Sequence, residues 1–88
     1  SLLNQTVLLR RINDDPEVLI RLSERLFEMD VLPYYLHQLD RARGTSHFEV
    51  PEGQSLTLIQ AMRCALPGYL VPRWVKEIPG EPSKTVLG

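Results

Sequence analysis

The sequence holds a single cysteine, Cys64, among 88 residues, so no intrachain disulfide, CxxC pair or cysteine-built metal cluster can form within one chain. A lone thiol fits a reducing, cytoplasmic setting. Long apolar runs are missing too: none approaches the roughly 20 residues that cross a bilayer, and Ser1-Leu2-Leu3-Asn4 lacks the charged and apolar regions of a signal peptide. The first residue is not Met, which suggests a chain processed or cut from something longer. Neither sign of charge is in excess. Ten basic residues face eleven acidic ones, net charge -1, and they are interspersed, which leaves no electrostatic footprint for nucleic acid or membrane. Also absent are GxSxG, GxxxxGK and GxGxxG, so nucleophile-elbow hydrolysis, phosphate-loop binding and dinucleotide binding are set aside. His37 and His47 have no cysteine or acid at a recognised metal spacing, and no metal site is expected.

What is present is ordinary globular material, 43% hydrophobic and 24% charged, in a length that allows one small domain over 1–88. Gln5 to Leu9 ends in Val-Leu-Leu without alternation, as a parallel strand buried on both faces would. Asn13-Asp14-Asp15-Pro16-Glu17 combines an acidic cap, proline at the first helical position and a following glutamate; Leu19, Leu22, Leu26 and Met29 then recur at helical spacing. Leu32 to Leu36, with Pro33 near its start, reads as a second strand, and the adjacent Tyr34 and Tyr35 should point to opposite faces with one in the core. A polar connection from His37 to Gly53 follows, then a helix from Ser55 through Leu58, Ile59, Met62, Ala65 and Leu66 to the stop at Pro67-Gly68. Tyr69 to Val75 reads as a third strand, and the stretch from Ile78 to Thr85 is too rich in Pro and Gly for regular structure. The spacing thus predicts three parallel strands near 5–9, 32–37 and 69–75 and helices near 16–29 and 55–66.

Strand, helix, strand, helix, strand is the order of an α/β fold with parallel strands. Three strands make a poor complete sheet, so the expectation is an arc of a larger barrel, with chemistry in the segments after the strand C-terminal ends. Those segments are His37 to His47 and Glu77 to Lys84. Asp40 and Glu77 each follow a predicted strand and together could hold an ammonium group, although surface carboxylates are commoner. Lys84 is, on base rates, a solvated lysine; against this, its Pro79-Gly80-Glu81-Pro82 frame restricts the backbone that presents it, as Schiff-base chemistry requires. Lys76 is the nearest rival. His37 and His47 are candidates for acid–base or supporting roles.

At Leu32-Pro33-Tyr34-Tyr35-Leu36-His37-Gln38-Leu39-Asp40, followed by Gly44-Thr45-Ser46-His47-Phe48, the sequence resembles the lysine 2,3-aminomutase family. The likeness continues through Val7-Leu8-Leu9 and Ile12-Asn13-Asp14 on one side and Gly68 to Pro72 and Pro79 to Lys84 on the other, covering nearly the whole chain. The resemblance implies the C-terminal arc of a radical-SAM barrel in an isomerase, an intramolecular amino transfer. In that reaction S-adenosylmethionine, cleaved at a [4Fe-4S] cluster, yields a 5′-deoxyadenosyl radical. Lysine's α-amino group then moves to the β-carbon on pyridoxal phosphate. By the same resemblance Lys84, in the tail 77–88, holds pyridoxal phosphate, and Asp40 and Glu77 recognise the side-chain ammonium of the lysine substrate. The Gly80-Glu81-Pro82-Ser83-Lys84 form looks most like the branch that serves elongation factor P modification.

Two departures qualify this. The family's CxxxCxxC motif is absent, so the cluster and S-adenosylmethionine belong outside this segment, which alone should be inactive. Asp15 stands where clostridial members place a zinc-ligating cysteine, and a structural zinc is not expected. The alternatives are a piece of a free-lysine aminomutase and a non-catalytic α/β interaction module. A barrel arc on its own should also expose strand edges and self-associate into a homo-oligomer.

Overall fold

The structure, a computed structural model, describes residues 2–39, 48–76 and 85–88. The first helix, α1 (Pro16–Glu28), begins where the sequence places it: the Asp15 carboxylate accepts from the Glu17 backbone N–H at 2.8 Å, with proline in the first turn. Leu19, Ser23 and Leu26 face inward. The second helix, α2 (Glu52–Ala65), starts three residues earlier than Ser55, and Pro51 provides no side-chain cap. Ser55, where the sequence reading begins the helix, lies fully buried inside it, its hydroxyl donating to Gln38 Oε1.

Between and after the helices run β1 (Leu2–Leu8), β2 (Val31–Gln38), β3 (Arg73–Lys76) and β4 (Thr85–Val86), in sheet order β1-β2-β3-β4. The three expected strands are parallel, with Leu8 opposite Gln38 and His37 opposite Val75. The α/β class therefore stands. Each crossover helix packs on the same face, since Leu19 of α1 and Leu58, Ile59 and Met62 of α2 share one core with Leu8, Leu36 and Trp74. Strand order follows chain order, without the reversal of a doubly wound sheet.

Four expectations are corrected. β1 is not buried on both faces: it is an edge strand among the described residues, with Leu2 71%, Leu3 56% and Val7 41% exposed, and only Leu8 reaches the core. Tyr69 and Leu70 belong to a 3-10 turn (Gly68–Leu70), and β3 starts only after Pro72, which cannot donate to a ladder. Thr85, assigned to irregular chain, opens β4, which pairs antiparallel through Lys76↔Thr85 and Val75↔Val86. Tyr34 and Tyr35 do not split between core and solvent. β2 carries an extra residue where Asn4↔Pro33 is followed by Gln5↔Tyr35; this breaks the alternation, and the two rings lie 4.5 Å apart outside the core. The same irregularity accommodates Pro33, because pairing with β3 starts only at Tyr35.

Candidate functional site at the strand ends

Several side-chain hydrogen bonds of the described residues lie at the C-terminal ends of β1, β2 and β3. After β1 the chain turns through Arg11, a non-glycine residue at φ 67°. Asn13 clamps this turn, its Oδ1 accepting from the Leu9 N–H at 2.7 Å and its Nδ2 donating to the Val7 carbonyl at 2.9 Å. The Asp14 carboxylate accepts from the Arg11 N–H at 3.0 Å. The Arg10 N–H donates to the Phe48 carbonyl at 2.8 Å, tying this turn to the segment that returns toward α2.

At the end of β2 the alternation places Leu36 and Gln38 on the helix side and Tyr35 and His37 on the other. His37 Nε2 lies 2.9 Å from Gln5 Oε1 on β1, and its ring meets the edge of Tyr35 at 5.7 Å. Gln38 is buried, 5% exposed, and its amide bonds to three partners. Oε1 accepts from Ser55 Oγ at 2.7 Å and from Trp74 Nε1 at 3.1 Å, while Nε2 donates to the Val50 carbonyl at 2.5 Å. An indole N–H can only donate and a carbonyl can only accept, so these partners fix which way the amide points. At the end of β3, Lys76 Nζ lies 3.0 Å from Glu52 Oε2 at the start of α2. Lys76 is therefore occupied in an ion pair with α2.

Asp40, His47, Glu77 and Lys84 lie outside the described residues. Their sequence neighbours are inside. Asp40 comes two residues after the end of β2, and Glu77 directly follows β3. Glu77 follows Lys76 and Lys84 precedes Thr85, and Lys76 and Thr85 are partners in the β3–β4 ladder, so the two roots of the 77–84 segment are held together. Reading the sequence alone gave Gln38 no role, because a glutamine between His37 and Leu39 looks like the start of a polar loop. Its partners lie 17 and 36 positions away, where local pattern carries no signal. Among the described residues no group of three histidines, cysteines or carboxylates could hold a metal ion. No described helix is long and apolar enough to cross a membrane.

The described fold is an α/β unit with a mostly parallel sheet, β1 to β3 parallel and β4 antiparallel, and both helices on one face. No protein-family model matches the chain. Among curated proteins it is 48% identical over 87 residues to an L-lysine 2,3-aminomutase of Buchnera aphidicola, 47% over 87 residues to that of Escherichia coli K12 and 45% over 86 residues to that of Haemophilus influenzae. These matches take in 98–99% of this chain. Homologues named L-lysine 2,3-aminomutase thus cover nearly the whole chain, as they would a segment of that family. The chain spans about a quarter of the length of the curated relatives it matches.

Proposed function

We propose that this segment forms part of the active site of an isomerase that moves the α-amino group of lysine to the β-carbon. The observation that carries the reading is identity of 45–48% along nearly the whole chain to three enzymes of that name. The parallel order of β1, β2 and β3 supports an arc of a barrel, in which active-site groups follow the C-terminal ends of strands. Asp40 and Glu77 follow β2 and β3 in sequence, and their role is to hold the substrate's side-chain ammonium. A buried ammonium needs opposite charge and hydrogen bonds, which two carboxylates supply and one neutral group does not.

Lys84 is assigned to attach pyridoxal phosphate, since a primary amine is required and arginine stays protonated at any working pH. Pyridoxal phosphate, when bound, supplies the conjugated ring on which an amino group can migrate, and the radical initiator comes from a cluster and S-adenosylmethionine held outside this chain. Lys76 lies outside the Pro79 to Pro82 frame and beside Glu52 at the start of α2, 3.0 Å from its carboxylate. The Gly80-Glu81-Pro82-Ser83-Lys84 frame favours a role in supplying β-lysine for elongation factor P over a role on free lysine for other ends. A cytoplasmic setting goes with that reading.

The test is an exchange. The matching quarter of the Escherichia coli relative is replaced by this chain, and conversion of lysine to β-lysine is followed, with borohydride reduction and peptide mapping of the cofactor lysine. Activity with a pyridoxyl label on Lys84 is expected. A chimera that loads its cofactor and cluster yet leaves lysine unchanged, or carries the label on Lys76, overturns the proposal.

A further inference from the structure

Along β1 the alternation turns Asn4, Thr6 and Leu8 toward the helices, and only Leu8 carries the apolar side chain that this face calls for. The first helix departs from its pattern on the facing side. Its inward stripe is Leu19, Ser23 and Leu26, and Ser23 is 2% exposed. Alanine would hold that place with better helix propensity and no hydroxyl to bury. The polar residues of the two elements meet: Asn4, Thr6 and Ser23 share the wall of one cavity of about 10 Å³ between α1 and the sheet, and the rest of that wall is largely apolar.

Thr6 Oγ1 donates to Asn4 Oδ1 at 2.7 Å, which spends its one proton and leaves its lone pairs as acceptors. The Ser23 hydroxyl makes no hydrogen bond to a described residue, and it does not take the carbonyl one turn back, a common resort of serine inside a helix. A buried hydroxyl without a partner is costly, and buried polar groups are as a rule satisfied by protein or by ordered water. The room fits the second, since about 10–15 Å³ holds one water where about two to four polar groups surround it. Pro33 also lines the cavity, at the point where Asn4↔Pro33 is followed by Gln5↔Tyr35 and the extra residue of β2 interrupts the ladder. Backbone groups lose their regular partners at such a place. We infer that this cavity is the binding site of a single structural water, which donates to Thr6 Oγ1, bonds the Ser23 hydroxyl and so joins α1 to the edge strand β1. The site is independent of the reaction assigned above.

Two measurements test it. The first is a crystal structure of the full-length protein that contains this segment, at a resolution that shows ordered water. Density for one water is expected about 2.5–3.0 Å from both Ser23 Oγ and Thr6 Oγ1. A cavity without such density, or a Ser23 hydroxyl turned to the Leu19 carbonyl, overturns the inference. The second is a double-mutant cycle read by urea unfolding: Ser23→Ala, Thr6→Val and the two together. Each change removes one ligand of the water, so the second costs little once the first is made. The product of the two single-variant changes in the unfolding equilibrium constant should then exceed the change in the double variant by about threefold to tenfold, the scale of one hydrogen bond. Loss of the Thr6–Asn4 bond enters both arms and cancels. Ser23 and Thr6 share no direct bond, so changes that simply multiply would mean that nothing bridges them, and the inference falls. Should Thr6→Val not fold, the wild-type crystal structure decides alone.

Discussion

The centre and the edge of this sheet are built on opposite terms. β2 lies between two strands, with Leu36 1% exposed and Gln38 bonded to three partners, whereas β1 shows Leu2, Leu3 and Val7 to solvent on an edge no described strand covers. Apolar residues of one type thus have different jobs within a few residues of each other. In the centre they determine stability, and at the edge they are exposed surface that adds little to it.

The sharpest way to break this comparison is truncation of matching leucines, read by urea unfolding of the chain. Leu36→Ala should cost about 2–5 kcal/mol, as filled cores do, while Leu3→Ala should stay within about 0.5 kcal/mol. Equal losses would show that β1 is covered after all. Next in size is Gln38→Met in the same assay, where Trp74 Nε1 and the Val50 carbonyl lose their partner in a buried place; about 1–3 kcal/mol is expected. No loss would mean that water replaces the amide. Smaller again is Asp15→Ala, which removes the α1 cap and should cost about 1 kcal/mol, seen as a lower urea midpoint with unchanged slope.

Arg11→Gly tests the turn beside the edge and runs the other way. Arginine at φ 67° occupies a region open to glycine without a Cβ penalty, so the variant should gain up to about 1 kcal/mol. A loss would show that the Arg11 side chain makes contacts worth more than that penalty. Least visible in stability is Leu3→Lys, within about 0.5 kcal/mol, but it should weaken self-association in sedimentation at high concentration by placing charge on the open edge. A chain that sediments as a monomer with or without this change would remove the idea of a reactive edge.

What local pattern could convey, the sequence conveyed. Asp15-Pro16-Glu17 marks α1 because a cap acts on atoms two residues away, and Leu58, Ile59 and Met62 mark α2 because helical spacing is a local property. Exposure of β1 was not legible, since Val7-Leu8-Leu9 reads alike in a central strand and in an edge strand. Nor was β4, two residues long and defined only by its ladder with Val75 and Lys76. The candidate site divides in the same way: Asp40, Glu77 and Lys84 stand out in the sequence by their places after strands and in a Pro-Gly frame, take their roles from resemblance and lie outside the described residues, while Gln38 depends on Ser55 and Trp74, which no window of the chain brings beside it.

The antiparallel return of β4 has an entropic consequence for the 77–84 segment. A loop whose two roots are already paired, here by Lys76 with Thr85 and Val75 with Val86, closes as part of forming the sheet. Doubling such a loop costs only about 0.6 kcal/mol in closure entropy. Fold stability therefore sets a weak limit on its length. On the proposed reading, in which Glu77 and Lys84 are site residues, the stronger constraint is functional: both stay attached beside the paired Lys76 and Thr85, and the Pro79 to Pro82 frame before Lys84 is what insertions would have to spare.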